Sequence, residues 1–251
     1  MSGVEPMASP EPSATRERYP FWGYQDLALF AALAAPSLLL AFGLVQAVFL
    51  VSGARPAGKA GPLLAGQFLG YGFLFLSLYG LLKLRYGRPF WSSLGWVRPR
   101  AGLWTSVIGG PVVALLVASL GVVLQTPEIQ MPIKDLFTDR FSIALVAVFA
   151  TTLGPLCEEL AFRGFLLPLV ARSLGRVAGV LIAALPFAIL HGPQYSWSWR
   201  HILLVALAGV AFGCMRLWSR STLAATLMHA GYNLTFFSAY LFQGKDLPTR
   251  W

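Results

Sequence analysis

Six polar residues in the second half of the chain have the types and spacing that hydrolysis requires. They are Glu158, Glu159, Arg163, His191, His229 and Asn233. Glu159 and Arg163 are four residues apart, so on a helix they share one face, with the acid before the base in the order that favours an ion pair. Glu158 is rotated from Glu159 by about 100° around the helix. The arginine is therefore expected to neutralise one carboxylate and to leave the other free to take a proton.

The histidines supply the other parts of a hydrolytic site. His191 follows Phe187 by four residues, and His229 precedes Asn233 by four, so that its imidazole and the amide share a helix face. A carboxylate and a histidine together can activate a water molecule as general base or hold a metal ion. A histidine and an asparagine can donate hydrogen bonds to an oxyanion.

The composition places these residues in a membrane protein. Hydrophobic residues make up 57% of the 251 residues, charged residues make up 12%, and the mean hydropathy is +0.66. Such values exclude an ordinary soluble domain. The net charge of +9 lies mostly in short loops between apolar segments, where it sets membrane orientation rather than binding nucleic acid. Two cysteines, Cys157 and Cys214, cannot form the disulfide framework of a small secreted scaffold.

Seven apolar segments predict an all-α fold, a polytopic membrane bundle of about seven transmembrane helices. A spanning helix needs about 20 residues. The predicted spans are Leu27–Val51, Leu63–Leu82, Leu103–Leu124, Phe141–Val170, Val177–His191, Ile202–Trp218 and Leu223–Phe242. Pro155 is expected to break the long fourth segment into a spanning part and a separate helix start.

The chain divides into three predicted regions. Residues 1–24 are polar and predict a disordered cytoplasmic tail, residues 25–125 hold three anchoring helices, and residues 141–243 form the core that carries the site. The tail ends in four aromatic residues that suit the lipid-headgroup level: Tyr19, Phe21, Trp22 and Tyr24. Lys and Arg are more numerous in the loops that share a side with the N-terminus, which predicts that the N-terminus is cytoplasmic.

Three charges lie deep inside the apolar segments, at Glu158, Glu159 and Arg163, whereas Arg216 lies near the end of its segment and is counted with the loops. Each costs about 2.5–3.5 kcal/mol at the centre of a bilayer on insertion scales. They must therefore be paired or face a watered cavity. The other charges are expected to orient and anchor the chain.

Each feature also has a purely structural interpretation. A Glu–Arg pair can serve as a structural link in a membrane bundle, because buried pairs need not be catalytic. We assign His201 to a membrane interface and Cys157 to packing. Gly209 and Gly213 form a small-xxx-small pattern that lets helices approach closely.

Three motifs in order resemble the signature of the CAAX prenyl protease and bacteriocin-processing family of intramembrane endopeptidases. They are Pro155-Leu-Cys-Glu158-Glu159-Leu-Ala-Phe162-Arg163-Gly164, Phe187-x-x-x-His191 and His229-x-x-x-Asn233. The resemblance covers about residues 141–243. It implies an α-helical protease that hydrolyses a peptide bond near the membrane surface.

The resemblance also implies a role for each site residue. Glu158 with His191 would activate the attacking water. His229 with Asn233 would stabilise the tetrahedral oxyanion. The neighbouring ion pair, Glu159 with Arg163, would hold the geometry of the site.

Metal dependence stays open at the level of the sequence. If a divalent metal such as Zn²⁺ is present, its expected ligands are Glu158, His191 and His229. The chain lacks the H-E-x-x-H helix of the zincins. Water activation by glutamate and histidine without a metal is the alternative.

The expected partners are membrane lipids and a membrane-associated protein or peptide substrate. The substrate is expected to be cleaved near the membrane surface, with its C-terminal tail as one candidate position. No nucleic acid is expected as a partner. A prenylated tail, a bacteriocin leader and a sorting tail are alternative substrates. The Ala-, Leu- and Gly-rich sequence indicates a bacterial plasma membrane. Two other functions use the same residues: a proton-coupled transporter, although no inverted repeat supports it, and a non-catalytic scaffold or immunity protein.

The segment boundaries contain one inconsistency. At about 1.5 Å per residue they place Glu158 and His229 nearer the cytoplasmic side but His191 nearer the opposite side. Either the fifth helix is tilted or begins later, or a segment is re-entrant. A shared site therefore requires the boundaries of the fifth segment to differ by several residues.

Overall fold

A computed structural model of the protein describes residues 19–55, 58–100, 102–129 and 132–243. The regular structure within these ranges is helical. Its α-helices are α1 (Tyr24–Ser52), α2 (Ala60–Gly80), α3 (Phe90–Ser93), α4 (Leu103–Val123), α5 (Arg140–Val148), α6 (Gly154–Glu159), α7 (Leu167–Leu174), α8 (Arg176–Leu190), α9 (Trp199–Ser219) and α10 (Thr222–Gln243).

Each of the seven predicted membrane segments forms a helix, and the all-α membrane bundle is confirmed. Five helices of the described chain are long and apolar enough to cross a membrane: Tyr24–Ser52, Ala60–Arg85, Leu103–Val123, Arg140–Leu174 and Trp199–Ser219. The other two differ for separate reasons. Helix α8 has 15 residues and covers only about 22 Å at 1.5 Å per residue. Helix α10 has 22 residues but is less apolar, because it carries polar residues of the candidate site.

The fourth helix runs from Arg140 to Leu174 and joins α5, α6 and α7. Two π-helical segments, Phe149–Leu153 and Leu160–Leu166, separate these three parts. Short π-helical segments occur frequently at functional sites. The predicted helix start at Pro155 is confirmed, because the proline occupies the first turn of α6, but the predicted break is wrong, because the helical run continues through it. The wider turn directly before it changes the hydrogen-bonding register and lets the helix continue.

Gly175 reverses the chain between α7 and α8 with a positive φ of 89°. The two helices then run antiparallel, and a Cβ on Gly179 would lie 2.8 Å from the Cβ of Ala171. Glu158 precedes Gly175 by 17 residues and His191 follows it by 16. Because the two arms of a helical hairpin rise together, these side chains lie at nearly the same depth.

The boundaries of the fifth segment were expected to differ by several residues, and this expectation is wrong. That helix, Arg176–Leu190, agrees with the predicted Val177–His191 to within one residue. The predicted end of the fourth helix is what differs, because the chain stays helical to Leu174 instead of ending at Val170. Counted from the turn at Gly175 rather than from the ends of two separate spans, Glu158 and His191 lie at the same level.

Helix α4 packs backbone against backbone on α10. A Cβ on Gly110 would lie 2.5 Å from the carbonyl oxygen of Met228 and 2.7 Å from the amide nitrogen of Tyr232. The sequence groups α4 with two anchoring helices, but in the structure it packs on α10 and α9. It thus helps to position the helix that carries His229.

Replacing Gly110 by alanine is expected to destabilise the protein by about 1–3 kcal/mol, because the added methyl group meets backbone atoms that cannot move aside. Gly109→Ala is the matched control, since its Cβ would meet only side-chain ends, with the Met228 Cε at 3.4 Å. The midpoint of thermal unfolding in detergent measures both variants. Equal midpoints for the two variants would contradict the close α4–α10 contact.

The N-terminal aromatic residues are partly packed inside the protein. Residues 1–18 of the predicted disordered tail lie outside the described residues. Trp22 is fully buried, stacks on the Phe165 ring at 5.1 Å, and donates its indole N–H to the Phe165 carbonyl at 3.1 Å. Trp22 therefore does not present a wet edge to lipid headgroups, because its ring is covered by the fourth helix.

Among the described residues, two charged side chains besides those of the candidate site are buried. Arg216, counted as a loop charge in the sequence, is 7% exposed and donates to the Tyr19 hydroxyl at 3.3 Å. Asp26 is 2% exposed and pairs with Arg85 at 3.1 Å. The expectation that all charged side chains other than Glu158, Glu159 and Arg163 lie in loops or on the surface is therefore wrong.

Candidate active site

A buried ion pair on the fourth helix forms the base of the site. Nη1 of Arg163 donates to Oε1 of Glu159 at 2.8 Å, and both side chains are fully buried. Nη2 of Arg163 donates to the carbonyl oxygen of Gly209 on α9, also at 2.8 Å. The four-residue spacing predicts this pair correctly. The contribution of the Gly209 carbonyl was missed, because the sequence indicates that glycine only as a packing position.

Aromatic rings surround the guanidinium group. The Cζ atom of Arg163 lies 4.5 Å from the ring centre of Phe187 and 5.4 Å from that of Phe212. Such cation–π contacts are strongest where water is excluded. A Cβ on Gly209 would lie 3.1 Å from Phe187 and 3.2 Å from Nη2 of Arg163, and a Cβ on Gly213 would lie 3.1 Å from a Val180 methyl group. The small-residue pattern therefore does allow the close helix approach that it predicts.

His229 links the ion pair to the second carboxylate. Its Nδ1 lies 2.9 Å from Oε1 of Glu159, and its ring stacks on Phe212 at 4.5 Å. Because the Arg-paired carboxylate of Glu159 can only accept hydrogen bonds, Nδ1 of His229 carries a proton. Nε2 then faces Glu158, 3.8 Å from Oε2 of that carboxylate.

Burial distinguishes the two neighbouring carboxylates. The Glu159 side chain is fully buried, whereas 23% of the Glu158 side chain is exposed. Glu158 lines a cavity of about 1020 Å³. The structure thus holds one carboxylate in an internal network and presents the other to a space in which a substrate can lie.

His191 lines the same cavity from the end of α8. Its Nδ1 lies 2.7 Å from the carbonyl oxygen of Phe187, and since a carbonyl only accepts, Nδ1 carries the proton. Nε2 is then the nitrogen with a free lone pair. The Phe187 ring packs against both imidazoles, with centroid distances of 4.7 Å to His191 and 5.6 Å to His229.

Asn233 lies on the cavity wall one helical turn beyond His229. Its Nδ2 donates to the carbonyl oxygen of Ala150 at 2.8 Å. Ala150 belongs to the π-helical segment Phe149–Leu153, so this bond fixes α10 to the fourth helix. The amide has a second N–H, which can donate to another group.

The structure thus brings all six predicted residues together. Four of them line the cavity: Glu158, His191, His229 and Asn233. The ion pair of Glu159 and Arg163 lies directly behind them.

Tyr195 and His201 also line the cavity, a position that the sequence did not predict for them. His201, assigned to a membrane interface, stacks on Tyr195 at 5.2 Å, and both line the cavity. Burial raises the pKa of Tyr195 above its ordinary value. Its hydroxyl therefore stays protonated at neutral pH and can donate a hydrogen bond. Nothing in the local sequence indicates this placement, because it depends on how the turn Pro193–Tyr195 folds over the cavity.

The expected metal ligands can be tested against this geometry. Both His191 and His229 present Nδ1 to an oxygen acceptor, as metal-bound histidines do. In the part of the chain that the structure describes, however, no group of three His, Cys, Asp or Glu side chains is placed to hold a metal ion. The arrangement does not fit the set of Glu158, His191 and His229, and metal binding stays a prediction.

Comparison with protein families identifies the segment that carries the site. Residues 140–235 match the family described as Type II CAAX prenyl endopeptidase Rce1-like. This range includes all six site residues and begins at the first residue of the fourth helix. Searches of curated proteins and of solved structures found no match.

Proposed function

We propose that this integral membrane protein, whose residues 140–235 match the Type II CAAX prenyl endopeptidase Rce1-like family, is an intramembrane endopeptidase in which Glu158 and His191 activate a water molecule. The observation that carries the proposal is the shared cavity, where these two side chains meet His229 and Asn233. Its substrate is a membrane-associated protein or peptide.

The proposed reaction follows from the free atoms of the site. The Glu158 carboxylate, assisted by Nε2 of His191, removes a proton from water as its oxygen attacks the peptide carbonyl carbon. A C–O bond forms, and the carbonyl electrons move to the oxygen. When the C–N bond breaks, the protonated base returns its proton to the leaving amine.

His229 can act as a proposed oxyanion donor only in one protonation state of its ring. Because Nδ1 donates to Glu159, Nε2 can donate only when the ring is doubly protonated. The charges of Glu158, Glu159, Arg163 and the protonated ring then sum to zero, which reduces the cost of burying them in a membrane. The second donor is the remaining N–H of Asn233.

The ion pair behind the cavity supports this chemistry indirectly. Glu159 fixes the imidazole of His229 through Oε1, and Arg163 fixes Glu159. We assign both as positioning residues. We also propose a bacterial plasma membrane with a cytoplasmic N-terminus, as the distribution of Lys and Arg predicts.

The test compares protein termini in membrane fractions from cells that produce the wild type, His191→Ala or Leu190→Ala. Leu190 is the matched control, since it precedes His191 but is 71% exposed on the outside of α8. We expect a set of new protein termini with the wild type and Leu190→Ala that is missing with His191→Ala.

Identical termini in all three strains would overturn the proposal. Ion or proton flux in proteoliposomes without any peptide cleavage would instead favour the transporter. Equal amounts of folded protein in the three membrane fractions are the condition for the comparison.

A further inference from the structure

The cavity extends from the candidate active site toward the short 3₁₀-helix Pro132–Leu136. Among the described residues that line it, Lys134 is the only Lys or Arg. The remaining lining at this end is aromatic and aliphatic, with Phe137, Phe237 and Tyr240. The cavity thus has a carboxylate and histidines at one end and one cation at the other.

The position of the lysine is defined by its neighbours. Nζ of Lys134 lies 5.7 Å from the ring centre of Tyr240 on α10. Tyr240 packs against Phe137 at 5.3 Å, and Leu136 packs into a cluster with Ala60 and Val146. An exposed ammonium group is therefore held at the rim of the cavity by a packed support.

The distance from Lys134 to the candidate active site can be estimated along helix α10. Tyr240 follows Asn233 by seven residues and His229 by eleven, which corresponds to about 10–16 Å along the helix axis. An extended peptide covers about 3.3–3.6 Å per residue. A segment of about three to five residues therefore reaches from the site to Lys134.

We propose that Lys134 determines substrate specificity by binding a carboxylate of the substrate, located about three to five residues from the cleaved bond. This inference rests on the proposed endopeptidase function. A lone ammonium at the end of a largely apolar cavity favours an anion there over a neutral group. Two sources supply that chemistry in a peptide: its C-terminal carboxylate, or an Asp or Glu side chain.

The experiment uses the full-length protein in detergent and synthetic peptides that span the cleavage sites identified from the membrane fractions. Each peptide ends about three to five residues after the cleaved bond. It is prepared as a free acid, as a C-terminal amide, and as an amide with Asp as the last residue. We expect the wild type to cleave the free acid at least about tenfold faster than the amide, measured as kcat/KM.

Lys134→Met is expected to remove this preference through a higher KM for the free acid, with the amide unaffected. Lys134→Arg is expected to retain the preference. Lys59→Met is the matched control: Lys59 is an exposed lysine that directly precedes Ala60, at the same end of the bundle, and does not line the cavity.

The outcomes separate the inference from the proposed function. A wild-type preference for the Asp amide that depends on Lys134 supports the proposal with a side-chain carboxylate as its source. An unchanged acid preference in Lys134→Met, while Glu158→Gln is inactive, overturns the inference alone. Cleavage by Glu158→Gln at the wild-type rate overturns the proposed function.

Discussion

Replacing Glu158 by glutamine is expected to lower the rate of peptide hydrolysis by about 10²–10⁴-fold, which is the usual contribution of a general base. Glutamine has the same shape but cannot accept a proton from water. The stability of the protein should change little, because Glu158 faces the cavity and its nearest ionic partner, Nε2 of His229, is 3.8 Å away. Single-turnover rates with an identified peptide and the midpoint of thermal unfolding measure the two effects.

Cys157→Ala is the control for this variant, because Cys157 precedes Glu158 but does not line the cavity. It is expected to cleave at the wild-type rate. Chelator treatment of the wild type tests the predicted metal separately: loss of cleavage that Zn²⁺ restores shows metal dependence, and an unchanged rate shows water activation without a metal. A Glu158→Gln variant that retains the rate of Cys157→Ala would contradict the role of Glu158.

Replacing Arg163 by methionine is expected to destabilise the protein by about 3–5 kcal/mol, the usual cost of leaving one buried charge without its partner. For a chain of this size that loss corresponds to a decrease of about 6–20 °C in Tm. The expected loss is large because Arg163 holds both the Glu159 carboxylate and the Gly209 carbonyl, inside a ring of aromatic side chains. Tryptophan fluorescence during heating in detergent measures Tm.

The double variant Arg163→Met with Glu159→Leu is the matched comparison. Replacing both partners of a buried pair by apolar residues is often neutral for stability, so we expect the double variant to recover most of the lost Tm. Hydrolysis should not recover, because His229 loses the acceptor that fixes its ring. A double variant less stable than Arg163→Met would show that the destabilisation does not come from an unpaired Glu159.

Relations within one helix could be predicted from the sequence. The pairing of Glu159 with Arg163 depends only on helical periodicity, and the structure reproduces it at 2.8 Å. The depth of His191 could not be predicted in the same way. It depends on the hairpin at Gly175, which makes the fourth and fifth helices antiparallel arms, and two segments placed separately do not show this arrangement.

Contacts between distant parts of the chain were also missed. Arg216 was counted as a loop charge because it lies near the end of an apolar segment. In the structure it is buried against Tyr19, and a Cβ on Gly95 would lie 2.4 Å from its Nη2. Neither partner is near it in sequence, so no local pattern indicates the contact. The burial of Trp22 against Phe165 has the same explanation.

The two π-helical segments limit how the length of this chain can vary. Each segment adds a residue to a turn, and Glu158 and Glu159 lie between Phe149–Leu153 and Leu160–Leu166. Deleting one residue from the first segment would rotate the preceding turns by about 100° relative to Glu158. The carbonyl oxygen of Ala150 would then no longer accept the hydrogen bond from Asn233, whereas the ion pair of Glu159 with Arg163 would stay intact. A substitution at the cavity therefore alters one side chain, whereas an insertion or deletion in a π-helical segment displaces every site contact on one side of it together.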